Sequence, residues 1–177
     1  MVKASGKILE FAAAVIGRRR RCNLYHSALI VRDSDGPIVI EMTPVVDANG
    51  AQRGVVGEGA VGVRWLGRFR LFRYEIRRWT SGVIPDQQYA NATLSATSES
   101  ASARQLLDLV PFVPTPVWGR DELRTGDMWN SNSVTSWLLT RSGVDLDQLK
   151  PPFGGRAPGW DAGVVVATRA AAGHARV

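Results

Sequence analysis

Cysteine is nearly absent: Cys22 stands alone among 177 residues. No disulfide can form within the chain, and a cysteine-based metal site has too few ligands. Histidine is almost as scarce, with only two. His174 lies in a small-residue tail, Ala170 to Val177, expected to be flexible, so histidine chemistry falls to His26. No apolar run approaches the roughly 18 residues that span a bilayer. Zinc-finger, aromatic ribonucleoprotein and helix-turn-helix signatures are missing, so nucleic acid is not the expected partner. The Pro/Gly segment from Pro151 to Gly163 lacks the Lys and following helix of a phosphate loop. It reads instead as a loop around Trp160. A leader sequence is only outlined. Lys3 and Lys7 precede an apolar run from Ile8 to Ile16, but Glu10 interrupts it and Arg18 to Arg21 close it, with no small-residue cleavage site. A first helix over residues 4–17 is expected, in a protein that is cytoplasmic or exported without a recognisable signal peptide.

What the chain has in quantity is apolar mass and arginine. Hydrophobic residues make up 45% of it, enough for one domain over residues 1–177 with a real core. The six Trp (Trp65, Trp79, Trp118, Trp129, Trp137, Trp160) are expected mainly in that core, with Trp129 also able to wall a cleft. The net charge is +6, and the excess concentrates at Arg18 to Arg21 and at Arg64, Arg68, Arg70, Arg73, Arg77 and Arg78. Such a surface suits an anionic or polymeric partner, cell-wall material or lipid, with peripheral membrane contact as one form. A solvated face is the plainer alternative. The oligomeric state is not encoded.

Along the chain, Leu24 to Val31 reads as a strand rich in apolar and β-branched residues. Asp33-Ser34-Asp35-Gly36-Pro37 is a turn and Ile38 to Met42 a second strand, making a β-hairpin. Residues 43–60 read as loop. Phe69 to Ile76 alternates arginine with apolar residues, the period of a half-exposed strand. Ala101 to Val110 predicts a helix ended by Pro111, Pro114 and Pro116, and Trp118 to Trp129 is irregular. Ser131 to Ser142 is the clearest helix, stopped by Gly143, and Val164 to Ala167 predicts a final short strand. The order points to an α+β domain with a mainly antiparallel sheet packed against helices.

Three features combine into a site. With the turn centred near residues 34–36, position 26 faces roughly 43–45. Glu41 then lies one diagonal cross-strand step from His26. A carboxylate there can fix the imidazole tautomer and stabilise the imidazolium. Asn130-Ser131-Asn132-Ser133 immediately precedes the strongest helix. A nucleophile at a helix start is favoured by the dipole and by unpaired backbone amides, and Asn130 or Asn132 could add a side-chain donor.

The ordered set Tyr25-His26-Ser27-Ala28-Leu29-Ile30-Val31, Ile38-Val39-Ile40-Glu41 and Asn130-Ser131-Asn132-Ser133-Val134-Thr135-Ser136-Trp137-Leu138-Leu139 resembles the circularly permuted papain-like superfamily. That superfamily includes lecithin:retinol acyltransferase-like proteins and permuted relatives of NlpC-type cell-wall peptidases. The resemblance covers roughly residues 22–143. It implies a permuted papain-like fold in which His26 is the general base, Glu41 its orienting partner and Ser131 occupies the nucleophile position. Tyr25, Asn130, Asn132 and Trp129 would line the site or bind the oxyanion. The implied reaction is amide or ester hydrolysis on a bacterial cell-wall peptide or a lipid, with no cofactor and no metal; an effector toxin is one setting.

The departure from the pattern is Ser131, where the superfamily has cysteine. A thiol ionises near neutral pH, whereas a serine hydroxyl needs concerted base assistance. Three states fit: a native serine nucleophile, a natural pseudoenzyme that binds ligand without turnover, and an engineered Cys-to-Ser replacement. Each residue also has a plainer role. His26 would be a satisfied strand histidine, Glu41 a strand-end carboxylate facing water, and Ser131 or Asn130 a helix N-cap. Cys22 would be a buried structural thiol and Asp127 a capping carboxylate.

Overall fold

The computed structural model describes residues 23–33, 36–45, 54–80, 100–147, 149 and 155–174. The expected first helix, the Arg18 to Arg21 run and Cys22 lie outside the described residues.

The chain is α+β. Four antiparallel strands form one sheet in the order β2-β3-β5-β4: β2 (Leu29–Asp33), β3 (Gly36–Pro44), β5 (Arg73–Thr80) and β4 (Val55–Ala60). The β2-β3 hairpin forms where the turn cluster placed it, with Leu29 opposite Ile40 and Asp33 opposite Gly36. The upstream part of the expected strand differs. Residues 25–28 make no ladder pairing, and the two-residue β1 (Asn23–Leu24) pairs in parallel with β6 (Gly155–Arg156).

Two further expectations are corrected on this side. The supposed loop over residues 43–60 contains β4, whose sequence Val-Val-Gly-Glu-Gly-Ala hides its strand signal behind glycine. The glycine is needed: a Cβ at Gly59 would fall 2.4 Å from the Tyr74 ring, which crosses the strand closely at that point. The arginine-alternating segment splits. Residues 64–68 and 70–72 are 3-10 turns, and the strand starts only at Arg73.

Three α-helices are described: α1 (Ser100–Leu109), α2 (Ser131–Arg141) and α3 (Trp160–His174). The α1 and α2 expectations hold within a residue or two at each end. The final strand expected at Val164 to Ala167 is instead the middle of α3, and the loop around Trp160 ends where that helix begins. Three β-branched residues in a row lower helix propensity by a few tenths of a kcal/mol each, which packing easily overrides. That packing is close. A Cβ at Gly163 would lie 2.1 Å from both Ser133 O and Ser136 Oγ, so α3 meets α2 almost backbone to backbone.

The core lies between one sheet face and the helices. Ile38, Ile40, Met42, Tyr74 and Ile76 meet Leu106, Leu107, Val134, Trp137 and Leu138 there. Each large apolar side chain buried in it stabilises by roughly 1.5–3 kcal/mol. Val39, Glu41 and Thr43 alternate to the opposite face, opposite Trp79, Arg77 and Glu75 of β5. Among the tryptophans, Trp129 and Trp137 are core, but Trp65 is 59% exposed, against the expectation. No helix among the described residues is long and apolar enough to cross a membrane.

Candidate active site

The site is organised by the first turn of α2. Residues 131–139 are all buried, although five of them are Ser, Thr or Asn. Buried polar groups must be hydrogen-bonded, and here the partners come from chain segments distant in sequence. Asn130 is the N-cap: its side-chain oxygen accepts from Asn132 N at 2.8 Å, and its backbone N–H donates to Ser133 Oγ at 3.0 Å. Asn130 Nδ2 donates to Pro158 O at 2.8 Å. Ser133 Oγ donates to Gly159 O at 2.7 Å, and Ser136 Oγ to Trp160 O at 2.6 Å. Asp127 does not cap α2, whose cap is Asn130; it accepts from Gly159 N at 2.6 Å and from Met128 N at 2.7 Å.

Asn132 joins this helix start to the unpaired stretch before β2. Its Nδ2 donates to Tyr25 O at 2.9 Å and to Pro158 O at 2.8 Å, and its Oδ1 accepts from Ser27 Oγ at 3.0 Å. Tyr25 N also donates to Arg156 O at 2.9 Å, continuing the β1-β6 pairing. The residues on both sides of His26 are therefore tied directly to α2. Both amide hydrogens of Asn132 are committed to carbonyls, and the Tyr25 backbone is what reaches the helix.

Ser131 is treated differently by the fold. It is 6% exposed, yet its Oγ makes no hydrogen bond to any described residue. Its backbone N–H is also without a partner among the described residues, while Asn132 N, Ser133 N and Val134 N all bond to Asn130. A hydroxyl and an amide on one residue thus remain uncommitted at the positive end of a helix dipole.

The other half of the expected constellation is divided between β3, which carries Glu41, and the stretch before β2, which carries His26. The β2-β3 pairing ends with Leu29 opposite Ile40, so Glu41 lies on β3 one residue past that end and His26 in the unpaired stretch before β2. His26 lies near enough to Glu41 to favour the ionised carboxylate. Burial is the larger effect and raises the Glu41 pKa, while Arg77 and His26 pull against it. Arg77 Nη1 is 3.7 Å from Glu41 Oε1, and Arg77 Nε donates to Glu75 Oε2 at 2.9 Å. The described residues show no hydrogen bond or ion pair between His26 and Glu41, and none from either to Ser131. His26 is exposed, and the side chain that reaches α2 from this stretch is that of Ser27. Trp129 is buried at 2% exposure, at the entry to the helix.

Sequence reasoning missed Ser27, Arg77, Glu75 and the carbonyls of residues 158–160. Arg77 was visible only as one arginine among many. Its pairing with Glu41 needed the β3-β5 register, which sets the two directly opposite. The carbonyls carry no side-chain signal at all.

The described residues hold no group of three or more His, Cys, Asp or Glu that could bind a metal ion. The chain matches no family model, no curated protein and no solved structure.

Proposed function

We propose that the chain is an acyl-transfer hydrolase of permuted papain-like architecture, acting on an amide or ester through a nucleophile at Ser131. One observation carries this reading. In a helix start where the side chains of Asn130, Asn132 and Ser133 are bonded to the fold, neither Oγ nor N–H of Ser131 has a hydrogen-bond partner among the described residues, and the neighbouring Asn132 holds the segment that carries His26. In the reaction, Ser131 Oγ attacks the substrate carbonyl carbon as His26 takes the hydroxyl proton. The Ser131 N–H faces the developing oxyanion, and Glu41 stabilises the imidazolium. Collapse of the tetrahedral intermediate breaks the bond to the leaving amine or alcohol, which takes the proton from His26. Water activated by His26 then releases the acyl group. Catalytic hydrogen bonds are often long before substrate binds, so closure of His26 on Ser131 belongs to the substrate complex. Cell-wall peptides and lipid esters are the substrate classes that suit a chain of net charge +6.

A second reading is favoured by the missing bond between His26 and Ser131. In it the domain is a natural pseudoenzyme or a Cys-to-Ser form that binds such ligands without turnover. A fluorophosphonate probe separates the two. Labelling of the wild type, abolished in Ser131→Ala and slowed at least about a hundredfold in His26→Ala, supports the enzyme. Labelling that survives Ser131→Ala overturns it. An inert wild type whose Ser131→Cys variant hydrolyses an activated acyl ester identifies the second reading.

A further inference from the structure

We propose that the loop over residues 61–72 is a docking element for the surface of a bilayer rich in anionic headgroups. The loop is closed and built. Val61 N donates to Phe72 O at 2.8 Å across its neck. Its interior is stitched by Leu66 N to Val63 O at 3.1 Å, Phe69 N to Leu66 O at 2.8 Å and Phe72 N to Phe69 O at 3.0 Å. This is a compact loop with its ends together, held by backbone bonds and not by a core of its own. It nevertheless presents large apolar side chains to water: Leu71 is 80% exposed, Trp65 59% and Phe69 49%. Exposed apolar side chains of this size gathered in one short loop mark a surface that something covers.

Charge complementarity selects what covers it. Arg68 lies over both rings, 5.1 Å from the Trp65 centroid and 4.8 Å from that of Phe69. Arg64 is paired with Glu122 and Arg73 with Glu58. Among the described residues no ion pair engages Arg68 or Arg70. Two unpaired guanidiniums set among Trp, Phe and Leu reproduce the composition of an interfacial anchor, apolar groups entering the acyl boundary and cations meeting headgroup phosphates. A nucleic acid fits less well. Binding through phosphates commonly uses about 6–10 contacts, and stacking needs open ring faces. Here one face of each ring already carries Arg68, and Leu71, the most exposed of the three, has no ring. The inference does not depend on the hydrolase reading, because vesicle binding requires neither Ser131 nor His26.

The test is co-sedimentation of the full chain with phosphatidylcholine vesicles, with and without phosphatidylglycerol. Binding to the anionic vesicles is expected, with Leu71→Asp lowering the partition coefficient at least about tenfold. Arg68→Gln and Arg70→Gln are each expected to lower it roughly fivefold. Circular dichroism confirms that these exposed-site variants fold, and Ser131→Ala is expected to bind as the wild type does. Equal binding by wild type and Leu71→Asp overturns the proposal. So does failure to bind anionic vesicles, whether accompanied by tight binding of a labelled single-stranded oligonucleotide or by a dimer that Leu71→Asp dissolves in sedimentation velocity.

Discussion

Glu41 is held between opposing influences. Burial disfavours its charged form, and Arg77 and His26 only partly compensate, so its pKa lies above the ordinary glutamate value. The folded chain therefore binds the Glu41 proton more tightly than the unfolded chain does. The penalty for ionised Glu41 is present in full above its folded pKa and disappears as pH falls below the unfolded value. Glu41→Gln is accordingly expected to be at least as stable as the wild type at neutral pH. Arg77 keeps Glu75 at 2.9 Å in that variant. The advantage should vanish in acid. Urea titrations at several pH values measure this, and a glutamine variant clearly less stable at neutral pH would refute it. Asn132 has the contrary balance. It is 1% exposed and makes three side-chain hydrogen bonds to Tyr25, Ser27 and Pro158. Asn132→Ala removes the partner of the half-buried Tyr25 carbonyl and of the Ser27 hydroxyl, while Pro158 O keeps Asn130 Nδ2, at an expected cost of about 1–3 kcal/mol in denaturant unfolding.

The α2-α3 pair explains why a run of serines and small residues stands in the interior. Ser133 and Ser136 turn their hydroxyls onto carbonyls at the start of α3, and Gly163 lets the two backbones approach. Gly163→Ala puts a methyl 2.1 Å from Ser133 O, contact that only separation of the helices relieves. A loss of about 3 kcal/mol or more is expected, although alanine is the better helix former by about 1 kcal/mol. A thermal melt showing Gly163→Ala unchanged or stabilised would mean the helices are not so closely packed. The neighbouring valines illustrate how tertiary packing reverses local preference. Alone, Val164-Val165-Val166 favours a strand; between Ala162 and Ala167, both buried against α2, it is helical.

Across the molecule, the basic loop is tied to the body by one carboxylate, Glu122, on the segment before α2. Glu122 accepts from Val117 N at 2.9 Å and from Arg64 Nη2 at 2.7 Å. The Val117 bond, aided by Arg64, lowers its pKa. A depressed carboxylate contributes stability above its unfolded pKa and loses it as pH falls through the folded value. Glu122→Gln is thus expected to cost about 1 kcal/mol at neutral pH, a modest figure for a solvent-screened site. The difference from wild type should shrink below the ordinary carboxylate range, which paired urea titrations would show. A difference that persists unchanged in acid would assign the loss to shape and not to charge.

The sequence by itself determined the hairpin, the α+β class and the start of α2. These rest on local physics: a turn cluster between β-branched runs, and an asparagine cap before an apolar stripe with Gly143 behind it. It also singled out His26, Glu41 and Ser131, residue types whose chemistry is readable without coordinates. Only the tertiary structure decided that Asn132 is spent on holding Tyr25, Ser27 and Pro158 together. It alone decided that Arg77 opposes Glu41, that Val164 to Ala167 is helix, and that Trp65 lies in water. Each of those depends on partners far along the chain. A hydrogen-bond acceptor such as Pro158 O carries no mark in the sequence, and whether a buried asparagine serves the reaction or the fold is settled by which atoms surround it.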